Sequence, residues 1–144
     1  MSASRRAKRA AIKTSRLWMA LAGLLLLLLV LCGRCCISAM LSNAGMIKLN
    51  HALRTPGRIA SPQQLQEAER WFTRSLAWDA ANPAAHRGLG WTWEARGDSV
   101  RAAHWWKQGG FSAQDFLMCA DAAASVAQED LCRLWLRRAA LMQP

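Results

Sequence analysis

LQEAERWFTRSLAWD at residues 65–79 and SVRAAHWWKQG at residues 99–109 carry one signature twice. Ala68 and Ala102 stand 34 residues apart, and each is followed at the same offset by an aromatic pair, Trp71/Phe72 and Trp105/Trp106. Leu65, Ala68, Trp71/Phe72, Ser75 and Leu76 recur at three- and four-residue intervals, the pattern of one buried face of a helix. A fixed period of this length in a helical pattern marks an internal repeat, built from supersecondary units that bury their apolar faces by stacking.

Working outward, the helix boundaries are written in the punctuation. Ser61-Pro62 offers a capping hydroxyl followed by proline at the first helical position, which predicts a helix over 62–80. Asn82-Pro83 restarts the pattern and opens a helix carrying Leu89, Gly90 and Trp93; Gly97-Asp98 ends it with a left-handed residue and a capping carboxylate. The next helix carries Ala102 and Trp105/Trp106 and stops at Gly109-Gly110. Ser112 with Asp115 and Ser125 with Gln128 predict caps for two further helices at 113–123 and 126–141. Leu131, Leu134, Trp135 and Leu136 give the last one its apolar face, and Arg133, Arg137 and Arg138 make its other side and C-terminal end basic.

The 34-residue helix-turn-helix period resembles the tetratricopeptide repeat, residue by residue. Leu89, Gly90 and Trp93 stand at the family's leucine, glycine and tyrosine, Gly97-Asp98 at its turn, and Ala102 and Trp106 at its alanine and phenylalanine. Ala68 and Phe72 mark the second helix of a preceding unit. His86 stands where the family often has tryptophan, Ala80 and Gln114 where it usually has proline, and Gly109 at its later alanine. The likeness covers about 61–116. It implies an all-α chain whose residues 61–142 form a small stack of antiparallel helical hairpins. It also implies a concave groove lined by first helices, and the same register sets Arg87, Trp91 and Glu94 on that side as candidate partner-binding residues. The alternative for Trp91 is packing beneath the next hairpin.

Before the repeats lies a different composition. Leu17–Gly33 is uncharged and contains six consecutive leucines, Leu24–Leu29. Its 17 residues reach about 25 Å at about 1.5 Å each, near the lower limit for a membrane-spanning helix. The uncharged residues after Arg34 allow the helix to continue to about residue 41 while that arginine snorkels to the interface. Residues 42–60 then predict a juxtamembrane helix and a linker broken at Thr55-Pro56-Gly57. Arg5, Arg6, Lys8, Arg9, Lys13 and Arg16 crowd residues 1–16 ahead of any acid, in a chain of net charge +10, so the positive-inside rule predicts a cytoplasmic N-terminus and an extracytoplasmic C-terminal domain. The alternative is a cleaved signal peptide with small residues at Ser42-Asn43-Ala44; the long run and the intervening Arg34 favour an uncleaved anchor.

The three histidines are scattered, and the sequence holds no paired-carboxylate box, phosphate loop or nucleophile elbow, so no enzyme, metal or cofactor is expected. Cys32, Cys35 and Cys36 end the apolar run without a second ligand pair, which favours lipid modification or inert packing over zinc or redox chemistry. Cys119 and Cys132 straddle the last predicted turn and form a candidate disulfide if the domain lies outside the cytoplasm, or two buried thiols otherwise. Eight tryptophans without a tyrosine are expected mainly in the core, with Trp18 at the membrane interface. Together these features predict a membrane-anchored adaptor that docks a protein partner, itself membrane-associated, alongside membrane lipid. The alternative is a structural subunit of a larger membrane complex, or a homo-oligomer, held mainly by the spanning helix. The basic N-terminus serves anionic lipid and topology better than phosphate, so no nucleic-acid partner is expected.

Overall fold

The structure, a computed structural model, describes the backbone of residues 3–53 and 61–143, and side chains within 18–53 and 61–143. All regular elements among the described residues are helices: α1 (Ala3–Leu53), α2 (Pro62–Trp78), α3 (Pro83–Ala95), α4 (Ser99–Gln108), α5 (Ala113–Ser125) and α6 (Glu129–Leu141). The chain divides into two compact units, Met1–Cys36 and Ile37–Pro144. The side chains of the basic N-terminal stretch and residues 54–60 of the expected linker lie outside the described residues.

In the first unit, α1 presents its apolar run outward: Trp18, Met19, Leu21, Leu24–Leu29, Val30 and Leu31 are all exposed. Over Trp18–Leu53 this is one helix long and apolar enough to cross a membrane, near the N-terminus. A break near residue 42, separating the anchor from a juxtamembrane helix, does not occur, because α1 continues through Asn43 and Gly45 to Leu53. Residues 17–53 contain no proline. The roughly 1 kcal/mol that a mid-helix glycine costs is offset at Gly45 by the packing described below.

In the second unit, the end of α1 buries Ser38, Ser42, Gly45, Leu49 and Ala52, spaced alternately by four and three residues. This stripe packs with Leu65, Ala68 and Phe72 of α2 and Ala85 and Leu89 of α3. A second cluster joins Ala102, Ala103 and Trp106 of α4 to Phe116 of α5 and Ala139 and Met142 near the chain end. Trp91 and Trp93 of α3 touch both clusters.

The helix ends follow the capping chemistry. Ser61 and Gln64 form a reciprocal capping box on α2, and Asp98 accepts from Arg101 N at 3.0 Å on α4. Ser112 and Asp115 form the box on α5, where bonds from the Ser112 hydroxyl and backbone hold the Asp115 carboxyl below its ordinary range. Gly97 takes the left-handed backbone (φ 83°). The expected Ser125/Gln128 cap does not form. α5 runs on through Ser125, whose hydroxyl donates back to Ala122 O at 2.8 Å, and the turn is made by Ala127 at φ 55°.

Three glycine–aromatic contacts, on two rings, set how closely the helices approach. A Cβ added to Gly45 would lie 2.7 Å from Phe72 Cε1; Gly88 lies still tighter on Phe72, and Gly90 on the Trp106 indole. Phe72 and Trp106 stand 34 residues apart and are both fully buried, each gripped by a glycine of an earlier helix. Burying such a ring contributes roughly 1.5–3 kcal/mol. The contact at Gly90 leaves Trp106 Nε1 buried with no acceptor, an offsetting cost of about 1–3 kcal/mol.

One polar network crosses this core. The Ser38 hydroxyl donates to Ser75 O at 3.0 Å and the Ser75 hydroxyl donates to Ser38 O at 2.8 Å, a reciprocal exchange between α1 and α2. Asn82 Nδ2 donates to both hydroxyl oxygens, at 2.7 and 3.1 Å, while its Oδ1 accepts from Ala84 N and Ala85 N and caps α3.

Two substitutions test these contacts. Asn82→Asp keeps the cap and removes both amide donors, and should destabilise the second unit by at least about 2 kcal/mol in denaturant unfolding of the detergent-solubilised protein. Gly90→Ala should cost about 1–3 kcal/mol. Gly23→Ala, where an added Cβ meets nothing within 4 Å, should cost nothing in the same measurement.

Candidate functional site

The candidate residues Arg87, Trp91 and Glu94 all lie on α3, and each is engaged inside the second unit. Trp91 is the hub of an aromatic cluster, with ring centroids 4.8 Å from Trp106, 6.1 Å from Phe111, 6.3 Å from Phe116 and 6.1 Å from Trp135. Most of these contacts are edge-on, the arrangement that aromatic quadrupoles favour, at about 0.5–1.5 kcal/mol per pair beyond area burial. Trp91 is half-buried beneath the following hairpin and is not an open groove side chain. Register alone sets it on one side of α3; the aromatic residues from α4, α5, α6 and the α4–α5 turn then close over it.

The two charges are equally committed. Glu94 accepts two bonds from Arg138 of α6, from Nε and Nη2, each at 2.6 Å. The Arg138 guanidinium lies 4.8 Å from the Trp91 centroid and 4.4 Å from that of Trp135. Its side chain is only 12% exposed, so it does not belong to the basic outer face expected of α6. Arg87 donates from Nε to Gly109 O at 2.7 Å and lies 4.6 Å over the Phe111 ring. Cation–π contacts of this kind contribute roughly 0.5–2 kcal/mol each.

The repeat-signature residues meet in the core. Ala68, Phe72, Leu89, Ala102 and Trp106 are buried to 3% exposure or less. Gly90 faces Trp106, while Gly97 makes the exposed turn. Trp93 is half-buried between the guanidinium groups of Arg96 at 4.7 Å and Arg101 at 4.5 Å, and Arg96 also pairs with Glu69 of α2 at 2.7 Å. Trp78, expected in the core, is 44% exposed at the end of α2. Cys119 and Cys132 are free thiols, the first exposed and the second half-buried, and no disulfide joins α5 to α6. Among the described residues no group of three or more His, Cys, Asp or Glu side chains converges on a metal-sized site.

What remains open beside these residues is a cavity of about 300 Å³, lined by Met46, Leu49, Asn50 and Leu53 of α1, Trp91, Glu94 and Ala95 of α3, and Arg138. Its walls are mostly apolar, with the edge of the Glu94–Arg138 pair and the Asn50 amide as polar points. The sequence signals for Trp91 and Glu94 thus lead to this hollow. Its α1 wall falls in the stretch that the sequence marks as a juxtamembrane helix, where Met46, Leu49, Asn50 and Leu53 carry only the signal of helical spacing. Nearby, Lys48 pairs with Glu67 at 2.8 Å and holds that carboxyl below its ordinary range by a hydrogen bond.

Compared with models of protein families, with curated proteins and with solved structures, the chain finds no match.

A double-mutant cycle measures the α3–α6 clasp. Glu94→Gln and Arg138→Met should each destabilise by about 2 kcal/mol and show a coupling of about 1–3 kcal/mol in denaturant unfolding. The exposed Glu129–Arg133 pair should show coupling below about 0.5 kcal/mol.

Proposed function

We propose that the chain is a non-catalytic, membrane-anchored interaction module of tetratricopeptide-like build, whose helical domain docks a protein segment at the membrane. The observation that carries this reading is the 300 Å³ hollow between α1, α3 and α6, large enough for one or two aliphatic side chains and mostly apolar with polar points at its edge. The repeat character is supported by the recurrence of a buried alanine and a buried, glycine-gripped aromatic at a 34-residue interval, Ala68/Phe72 and Ala102/Trp106. The end of α1 then takes the place of the first helix of the preceding unit. A spanning α1 holds the domain at the bilayer and raises the effective concentration of membrane-associated partners, so the docking contact itself need not be tight. By the basic crowding ahead of the apolar run, the N-terminus is cytoplasmic and the helical domain extracytoplasmic.

A second reading, a structural subunit held by its spanning helix, is favoured by the wholly exposed face of Leu24–Leu31. The two separate at Asn50 and Leu53, both exposed residues on the hollow's rim. With a photo-crosslinking residue at Asn50 in the full-length chain, a docked partner forms an adduct. Leu53→Glu should reduce that adduct about tenfold or more, since losing one buried leucine contact is worth about 1.5–3 kcal/mol. Partners that copurify stoichiometrically without an Asn50 adduct, and regardless of Leu53→Glu, would establish the structural-subunit reading instead. Substitution at Arg87, Trp91 or Glu94 would not serve as this test, because those side chains hold the domain together.

A further inference from the structure

Three thiols lie together where the uncharged run of α1 ends. Cys32, Cys35 and Cys36 are all free and exposed. Their i, i+3, i+4 spacing sets them on one face of the helix, spread over roughly 100° of arc, and Arg34 falls on the opposite side. One turn earlier the same face carries Leu28 and Leu29, exposed at 49% and 62%. The thiols therefore continue a lipid-compatible surface from which the nearest cation points away. They do not converge on a point that would hold a metal ion.

Depth sets the second condition. The uncharged run Leu17–Gly33 reaches about 25 Å against a hydrocarbon core of about 30 Å, which brings Cys32, Cys35 and Cys36 to the boundary between hydrocarbon and headgroups. At that depth a sulfur nucleophile meets both the ester carbonyls of the phospholipids, which lie at the headgroup boundary, and the solvent an acyl chain prefers. An attached chain lying along the Leu28/Leu29 face also extends the apolar surface of a helix slightly short for the bilayer.

We propose that Cys32, Cys35 and Cys36 form an S-acylation site that takes long-chain fatty acyl groups from the acyl esters of membrane phospholipids, a donor present at either face of the bilayer. The cysteine thiolate attacks the ester carbonyl carbon and a new carbon–sulfur bond forms. The bond from that carbon to the glycerol oxygen breaks, and the lysophospholipid leaves as its alcohol, carrying the proton the cysteine gave up. A thioester replaces an ester, with nothing oxidised or reduced. The inference rests on α1 spanning a membrane.

The test uses the full-length chain in its native membranes. Free thiols are blocked with N-ethylmaleimide under denaturing conditions, thioesters are cleaved with neutral hydroxylamine, and the released thiols are counted with a mass-tagged maleimide. The expected result is one to three hydroxylamine-dependent tags, lost in the Cys32→Ser/Cys35→Ser/Cys36→Ser variant and retained in Cys119→Ser/Cys132→Ser. Absence of hydroxylamine-dependent tags, their persistence in the triple variant, or their release by reductant instead of hydroxylamine each overturns the proposal. Alkaline carbonate extraction of the triple variant, which has no acyl chain at these positions, separates the two claims. Retention in the pellet with unacylated wild type overturns acylation alone, whereas release into the supernatant overturns the spanning helix on which it rests.

Discussion

Asn82 is the side chain on which the second unit depends most. Its amide is divided between two tasks: the oxygen caps α3, and the two N–H groups go to the hydroxyls of Ser38 on α1 and Ser75 on α2. Each hydroxyl donates to the carbonyl of the opposing serine and receives from Asn82, so donors and acceptors balance inside an otherwise apolar seam. A buried network complete in this way specifies register, because sliding α1 by a turn would strand several polar groups at about 1–3 kcal/mol each. The small size of the two serines and of Gly45 lets the helices come close enough for Phe72 to be enclosed.

The same helix serves two chemistries by changing the composition of its faces. Over 18–31 it is leucine-rich and exposed on all sides, as a surface compatible with lipid must be. Over 38–52 it becomes one-sided, with small and apolar residues at alternating four- and three-residue spacing and Lys48, Asn50 and His51 on its exposed surface. Hydropathy falls between these parts, because Ser38, Ser42, Asn43, Lys48, Asn50 and His51 interrupt the apolar residues, while the burial of one face leaves no mark in an average. That is why the sequence supports an anchor followed by a separate linker helix, while the structure shows a single α1.

Local signals were legible and distant ones were not. Ser61, Pro62, Pro83, Gly97, Asp98 and Ser112 locate helix ends because a cap acts within four residues of itself, and the observed boundaries follow them. The packing of Ala68, Phe72, Ala102 and Trp106 was legible because periodicity encodes a buried face. The partner of Glu94 was not: Arg138 is 44 residues away, and on α6 it is one of several arginines whose spacing fits a solvated edge. Trp91 failed for a related reason. Helical register assigns it to a side of α3 but is silent on whether Phe111, Phe116 and Trp135 return to cover that side. The Ser125 cap does not form because α5 runs two residues further than its spacing predicts and the chain reverses through a left-handed Ala127, a position where glycine would be the readable signal.

These commitments constrain how the domain can recognise anything. Arg87, Arg96, Arg138, Glu69 and Glu94 already hold partners within the fold, so an occupant of the proposed docking hollow cannot recruit them without breaking bonds that join α2, α3, α4 and α6. Affinity has to come from apolar contact with Met46, Leu49, Leu53 and the accessible part of Trp91, and orientation from Asn50 and the edge of the Glu94–Arg138 pair. A highly charged segment would leave charges desolvated against those apolar walls, whereas an aliphatic side chain flanked by neutral polar groups would not. The wall that gives the hollow its apolar character is α1, the helix that also carries the exposed leucine run, so one element supplies both the anchor of the proposed module and half of its docking surface.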